Sequence, residues 1–274
     1  MPIGLKTVYT IWLREFKTFM REKVRIIAMI GQPLLYLLIL GRGISAGMSL
    51  NRAGNIEYLK FMYPGIIGMS ILFTSIFSAL SIIWDREFGF LKEVLVAPVP
   101  RWAVAMGKSL GGATVAMIQS VILIAMAPII GIGLTPAVVL QLLLLAFLLS
   151  FAVTSLGVVI ASRMASMQSF QMVMNFLVMP LYFLSGAMFP MASAPNWMKS
   201  LMVVDPLTYG VDALRNVVFS GTSIRAGEAV TSLLDVARQA GLVRWTLEID
   251  VLIMSVAAAI LAAAGAYSFS KSNN

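Results

Sequence analysis

An all-α integral membrane protein with six transmembrane helices is the fold class this sequence predicts, and three observations predict it. The 274-residue chain is 59% hydrophobic and 12% charged, with a mean hydropathy of +0.91. Soluble domains carry roughly 25% charged residues, so a surface this poor in charge faces lipid. Next, the charges cluster between apolar runs of about 20 residues, the length that crosses a bilayer. Finally, the net charge of +8 lies beside those runs, where basic residues meet anionic headgroups. That placement argues against a nucleic-acid partner. With no cysteine and no histidine, disulfides, thiol nucleophiles and imidazole sites are excluded, and neither a metal site nor a catalytic residue is expected.

Residues 1–23 read as a helix lying in the membrane interface. Leu5, Val8, Tyr9, Trp12, Phe16, Phe19 and Met20 fall on one face, and Lys6, Thr10, Arg14, Lys17 and Arg21 on the other. An ordinary core helix is disfavoured because nothing soluble follows for it to pack on. No cleavable signal is expected, since the first apolar run starts near residue 26 and lacks an A-x-A-like site.

A charge at mid-bilayer costs a few kcal/mol, so the spans lie between charges. Arg25 to Arg42 encloses the first, with Gln32 and Pro33 inside and Arg42 reaching back to the headgroups. Phe61–Trp84 is the second. Ser109–Ser162 holds two, turning at Gly131–Pro136. The fifth covers about Ser169–Met188 and contains Pro180; the sixth lies between Asp250 and Lys271, where Ala258, Ala262 and Ala266 permit close helix packing. An even count puts both termini on one side. An inside N-terminus places 12 of the 20 basic residues in cytoplasmic segments, so both termini are expected inside.

Two connections stand out. Trp84–Arg101 (WDREFGFLKEVLVAPVPR) is a charged island. Read as a helix over Asp85–Ala97, it aligns Trp84, Phe88, Leu91 and Leu95 on one stripe. It is either a contact surface through which a water-soluble partner moves the membrane part, or a plain polar loop; spacing alone favours neither. The outer segment 189–248 is too apolar for a free loop and too interrupted for a span. Its prolines at 190, 195 and 206 suggest short helices tucked back into the outer leaflet. An amphipathic surface stretch follows at about Thr222–Arg244.

Missing residues narrow the function. Gly107–Lys108–Ser109 matches the tail of a phosphate-binding loop, but the leading glycine would fall on Trp102, so the backbone cradle is absent. No carboxylate lies within the first five spans, which argues against coupling to an ion gradient. Acids, bases and metal ligands do not cluster as an intramembrane enzyme requires. Gln32, Gln119, Gln168, Gln171 and Asn175 lie at depth. They make interhelical hydrogen bonds worth about 1 kcal/mol each, or Gln32, Gln171 and Asn175 line a substrate path.

Arg86–Gly112 (REFGFLKEVLVAPVPRWAVAMGKSLGG) and Leu184–Arg215 (LSGAMFPMASAPNWMKSLMVVDPLTYGVDALR) resemble ABC type-2 transporter permeases. The matched cores are Pro206–Leu207–Thr208–Tyr209 and Asp212–Ala213–Leu214–Arg215; Asp205 stands where that family usually has Asn. The resemblance covers nearly the whole chain and points toward the daunorubicin-resistance and nodulation-factor exporter permeases. It implies one domain over 1–274: an interfacial helix (1–23), six spans, a cytoplasmic coupling helix in 84–101, and re-entrant outer helices within 189–248. By the same resemblance the chain is the membrane half of an ATP-driven exporter in the cell's inner (cytoplasmic) membrane. It carries no cofactor, since ATP and Mg belong to a separate ATP-binding subunit. A second permease copy, identical or a close paralogue, completes the assembly. The cargo would be an amphipathic drug, lipid or lipid-linked saccharide.

The resemblance also assigns residues. Arg86, Glu87, Phe88, Phe90, Leu91 and Glu93 are the expected ATPase-coupling contacts, with Arg14 and Lys17 secondary. Pro206, Tyr209, Asp212 and Arg215 form the outer motif, where Tyr209 and Arg215 either satisfy backbone groups of the re-entrant turn or contact substrate. The first, second and fifth spans line the route. A stand-alone channel or facilitator would need a polar pore lining, and a membrane-embedded lipid-modifying enzyme would need the acids, bases or metal ligands that are missing.

Overall fold

A computed structural model describes residues 3–45, 49–50, 56–89, 99–221, 223–226 and 229–271. The architecture is helical apart from two short antiparallel ladders, Ser49–Leu50 with Ile56–Glu57 and Ser223–Ala226 with Ala229–Ser232. Neither was expected from the sequence. Among the described residues, five helices are long and apolar enough to cross a membrane.

Helix α1 (Ile3–Arg21) lies against α5 (Arg101–Ala125). Thr7, Ile11 and Phe19 are buried, and they share one face at steps of four or eight residues. Two glycines of α5 allow the approach. A Cβ on Gly107 would sit 2.7 Å from the Ile11 Cβ, and one on Gly111 would sit 2.6 Å from the Glu15 Cβ. The sequence offers nothing soluble for α1 to pack on, and the partner it finds is a long apolar helix with glycine at the facing positions. Part of the predicted apolar face stays open, since Leu5, Tyr9 and Met20 are exposed.

Helix α2 (Lys23–Ser45) follows after the single residue Glu22 and contains Pro33. Proline has no N–H, so the carbonyl four residues back loses its helical donor. That carbonyl is Met29, and the Gln119 amide of α5 donates to it at 2.7 Å. The Thr74 hydroxyl in turn donates to the Gln119 carbonyl oxygen. One buried amide thus repairs the break in α2 and joins α2, α3 and α5.

Helices α3 (Tyr58–Ser78) and α4 (Leu80–Glu87) form one nearly continuous bar over Leu59–Glu87. The bar steps at Ala79, where three-residue hydrogen bonds (Ala79 N–H to Ile76 O, Ile82 N–H to Ala79 O, both 3.0 Å) replace four-residue ones. Gly157 presses on the step, its absent Cβ lying 2.9 Å from that of Ala79. Phe61, Tyr63, Ile67, Ile71 and Ile76 are fully buried, so α3 is the central strut.

After α5, a 3-10 turn (Ala127–Ile130) ends at Gly131 with φ +72°. Thr135 then caps α6 (Pro136–Arg163), accepting from the Val138 N–H at 3.4 Å. This is the turn the sequence placed at Gly131–Pro136. Ser166 caps α7 (Met167–Leu184), the expected fifth span, which contains Pro180. Beyond it come α8 (Asn196–Val204), α9 (Pro206–Ser220), α10 (Leu233–Gln239) and α11 (Leu247–Lys271).

The most extensive helix pair is α6 with α11. Helix α9 is buried along its whole face set, Leu207 through Phe219, between α3, α6 and α11. Outward faces are apolar instead: Met172, Phe176 and Phe183 on α7, Leu252, Val256 and Ile260 on α11, and Ile27, Leu35 and Ile39 on α2 are all exposed. Such faces suit hydrocarbon as solvent, because the helical backbone is satisfied internally.

Candidate functional site

The bundle has two chemically distinct ends. One gathers the C-terminus of the α3–α4 bar, the N-terminal half of α5, the C-termini of α6 and α11, and α1. The other gathers the N-terminal parts of α3, α6 and α11 around α9.

At the first end, four successive residues of α4 are each anchored to a neighbour. The Trp84 indole N–H donates to the Met167 sulfur at the start of α7. Asp85 accepts both Nη atoms of Arg14, at 2.8 and 2.6 Å, and a hydrogen bond from Lys108. Arg86 donates to the Met164 and Ser162 carbonyls at 2.7 and 3.1 Å, covering the open carbonyls at the C-terminus of α6. The Glu87 carboxylate accepts from the Met167 N–H at 3.4 Å, at the positive end of α7.

Lys108 is the hub of this end. Its side chain is 2% exposed, and Nζ donates to Glu15 at 2.6 Å, to Ser81 at 3.1 Å and to Asp85. Two cations, Arg14 and Lys108, therefore face two anions, Glu15 and Asp85. A lysine buried in an otherwise apolar helix is costly without such partners. The Asp85 carboxylate also holds the Arg14 guanidinium above its ordinary pKa, outweighing the opposing effect of burial. The GKS tripeptide has its explanation here: Gly107 admits α1 and Lys108 binds it, while Ser109 is buried.

These contacts divide the expected coupling residues. Arg14, Arg86 and Glu87 are engaged within the chain. Lys17 is exposed, and Phe88 is 80% exposed. Phe90, Leu91 and Glu93 lie outside the described residues. The helix expected over Asp85–Ala97 does not run on from Asp85. It ends at Glu87, and Gly89 adopts φ +81°, a left-handed conformation that only glycine takes easily. The rest of that expected helix, residues 90–97, lies outside the described residues.

The three polar residues considered for a path are not brought together. Gln32 lines a cavity of about 240 Å³ between α2, α3 and α5. Gln171 and Asn175 lie on the exposed side of α7 and do not line it.

At the other end, Asp205 caps α9, accepting from the Leu207 N–H at 2.9 Å with Pro206 in the first helical position. Burial pushes the Asp205 carboxyl up to about 7, against the lowering effect of that hydrogen bond. Tyr209 donates to the Val203 carbonyl at 2.8 Å. Asp212 accepts the N–H groups of Arg244 and Trp245, at 3.1 and 3.0 Å. Arg215 donates to the Gly186 and Leu242 carbonyls at 3.0 and 3.1 Å, with its guanidinium 4.2 Å from the Phe61 ring centroid. Its surroundings are so dry that burial lowers its pKa to about 10. Asn216, unremarked in the sequence, and Asp250, noted there only as the bound of the sixth span, extend the cluster: Asn216 donates to the Asp250 carboxylate at 3.3 Å and to the Trp245 carbonyl at 3.1 Å. An asparagine one residue beyond the motif and an aspartate at a span mouth were the available signals.

Residues 6–219 match the family described as ABC-2 type transporter. A protein of Cyanophora paradoxa named as transport permease ycf38 is 30% identical over 216 residues, covering 77% of this chain and 73% of its own length. Nodulation protein J of Rhizobium meliloti (strain 1021) is 23% identical over 228 residues, 81% of this chain and 85% of that protein. A protein of Escherichia coli (strain K12) named as multidrug ABC transporter permease YbhR is 26% identical over 172 residues, 62% of this chain and 46% of that protein.

Proposed function

The chain belongs to the ABC-2 type transporter family, and from that premise we propose that it is the membrane subunit of an ABC exporter, moved through its charged end by a separate ATP-binding subunit. Family membership makes it a multi-pass membrane protein and implies both that partner and the bilayer. In the proposed arrangement α2 joins the five long apolar helices as a sixth span. Both termini and the loop 84–101 are cytoplasmic, in the cell's inner membrane, and a second permease copy completes the translocation path. Helix α1 lies in the interface, a reading supported by its basic residues and its exposed Leu5, Tyr9 and Met20. Helices α8 and α9 are re-entrant, which the burial of α9 among the N-terminal parts of three other helices supports.

One observation carries the coupling role: Trp84, Asp85, Arg86 and Glu87 connect the start of the loop to α1, α5, α6 and α7 together. A displacement of that loop is passed to four helices at once. Phe88 and Lys17, with Phe90, Leu91 and Glu93, make the partner contact; Arg14, Arg86 and Glu87 transmit it. Closure of the paired ATPases then rocks the helix bundles into the alternate access state. A shift of that kind needs several kcal/mol of differential binding, supplied by ATP on the partner. No ATP is bound by this chain, and the cargo is an amphiphile.

The test has two parts. The tagged chain should bring down an ATP-binding subunit. Replacing Glu87 and Phe90 together with alanine should leave that assembly intact while uncoupling ATP hydrolysis from transport. Unchanged transport would refute the coupling role, and accumulation of a solute in vesicles without any ATPase would overturn the whole reading.

A further inference from the structure

The cavity that contains Gln32 is built unlike the rest of the interior. Pro33 interrupts the α2 ladder, and Gln119 and Thr74 give the opening a polar floor. Met29, Tyr36 and Phe73 form apolar walls, and Arg25 stands at one end. Arg25 and Gln32 are seven residues apart on α2, about 10 Å along the axis. A cation, an apolar stretch and a neutral hydrogen-bonding floor therefore follow one another. Arg25 also lines the neighbouring cavity beneath α1, with Arg14, Glu15 and Asp85, so it faces the charged end of the bundle.

Ala28, Gln32 and Tyr36 line both this cavity and an adjoining outer recess of about 610 Å³ along α2. Gly31 belongs to that recess, and a Cβ on it would meet nothing within 4 Å. At about 240 Å³ the inner cavity is below the roughly 300–1,000 Å³ of sites that enclose drug-sized bodies. It suits a flexible chain better than a ring system. Glu22 takes Nη1 of Arg25 at 3.2 Å, and a guanidinium carries five N–H donors in a fork that matches carboxylate.

We propose that the cavity between α2, α3 and α5 is a binding site for a single-chain carboxylate amphiphile, which enters past Ala28 and Gly31 and sets its head against Arg25. The site goes beyond the transport reading and is tested without the ATPase, so a failure of either leaves the other standing. The purified full chain, in nanodiscs of zwitterionic lipid, is photolabelled with a diazirine-bearing palmitate or with its neutral methyl ester. The acid should label α2 and α3 around Met29 and Phe73. Arg25→Gln should cut that labelling about fivefold, the effect of about 1 kcal/mol per cation near an anionic head. Labelling by the ester should be unchanged, and Arg25→Lys should retain labelling by the acid. Gly31→Leu, which meets no clash at its Cβ, should reduce labelling by both probes. Equal acid labelling in wild type and Arg25→Gln, or labelling spread evenly onto the exposed face of α7, would overturn the proposal.

Discussion

Replacing Lys108 with methionine isolates the hub of the charged end. The side chain is 2% exposed, beside Asp85 at 8% and Glu15 at 14%. Methionine keeps the helical stem and removes the charge, leaving two carboxylates close together with Arg14 as their remaining cation. Arg14 is itself 36% exposed, so solvent weakens its compensation. Breaking a buried ion pair by removing one partner costs about 3–5 kcal/mol. For a chain of this size, 1 kcal/mol moves Tm by roughly 2–4 °C, so a fall of about 6–20 °C is expected. Thermal unfolding of the detergent-solubilised chain, followed by tryptophan fluorescence, measures it. Lys17→Met, at an exposed position on α1, should stay within about 0.5 kcal/mol of wild type. Adding Glu15→Gln and Asp85→Asn to Lys108→Met should recover more than half of the loss, since no uncompensated anion remains. A Lys108→Met chain that melts within 2 °C of wild type, or a triple variant that recovers nothing, would refute the reasoning.

Three other outcomes follow from single contacts. Gln119→Leu should cost about 1–2 kcal/mol by leaving the Met29 carbonyl without a donor, and Pro33→Ala in the same chain should restore most of it by closing the α2 ladder; equal losses with and without Pro33 would count against the link. Asp205 sets a pH dependence. Its folded pKa of about 7 exceeds the ordinary 3.8, so between about pH 4 and 7 the folded chain holds a proton the unfolded chain has released. Stability contributed by this group is complete below that window and lost as pH rises through it. Asp205→Asn should therefore flatten the fall of Tm between pH 5 and 8, and an unchanged slope would exclude the assignment. Gly107→Ala should destabilise by about 1–3 kcal/mol through its clash with Ile11, despite a helix-propensity gain of about 1 kcal/mol. In an Ile11→Gly background, which lacks the clashing Cβ, the loss caused by Gly107→Ala should shrink, and a more stable single variant would show that α1 does not press on α5.

Much of this fold is written in local signals. Gly131 and the Thr135–Pro136 pair mark a turn whose chemistry does not depend on the rest of the chain, and the gaps between charges fix the long apolar helices because a charge is tolerated only near their ends. The charged end is different. Asp85 and Lys108 are separated by 23 residues, and Lys108 and Glu15 by 93. Their pairing exists only once α1 docks on the glycines of α5. A lysine between small residues in an apolar helix was the visible hint that a counter-ion must arrive from elsewhere. The step from Trp84 to Phe88 assumes an unbroken helix, whereas α4 ends at Glu87 and Gly89 is the breaker that follows. The ladder at Ser223–Ser232 has strands of four residues, too short for alternation to stand out.

The burial of α9 has a consequence for the order in which the chain is assembled. Its walls are α3 and α6, made before it, and α11, made after it; Asn216 and Asp212 find their partners only at Trp245, Arg244 and Asp250. Until α11 leaves the ribosome, the segment carrying Asp212 and Arg215 has no closed place to occupy. Biogenesis therefore includes a late locking step, and a nascent chain stalled before it presents quality control with a polar helix still waiting for its seat.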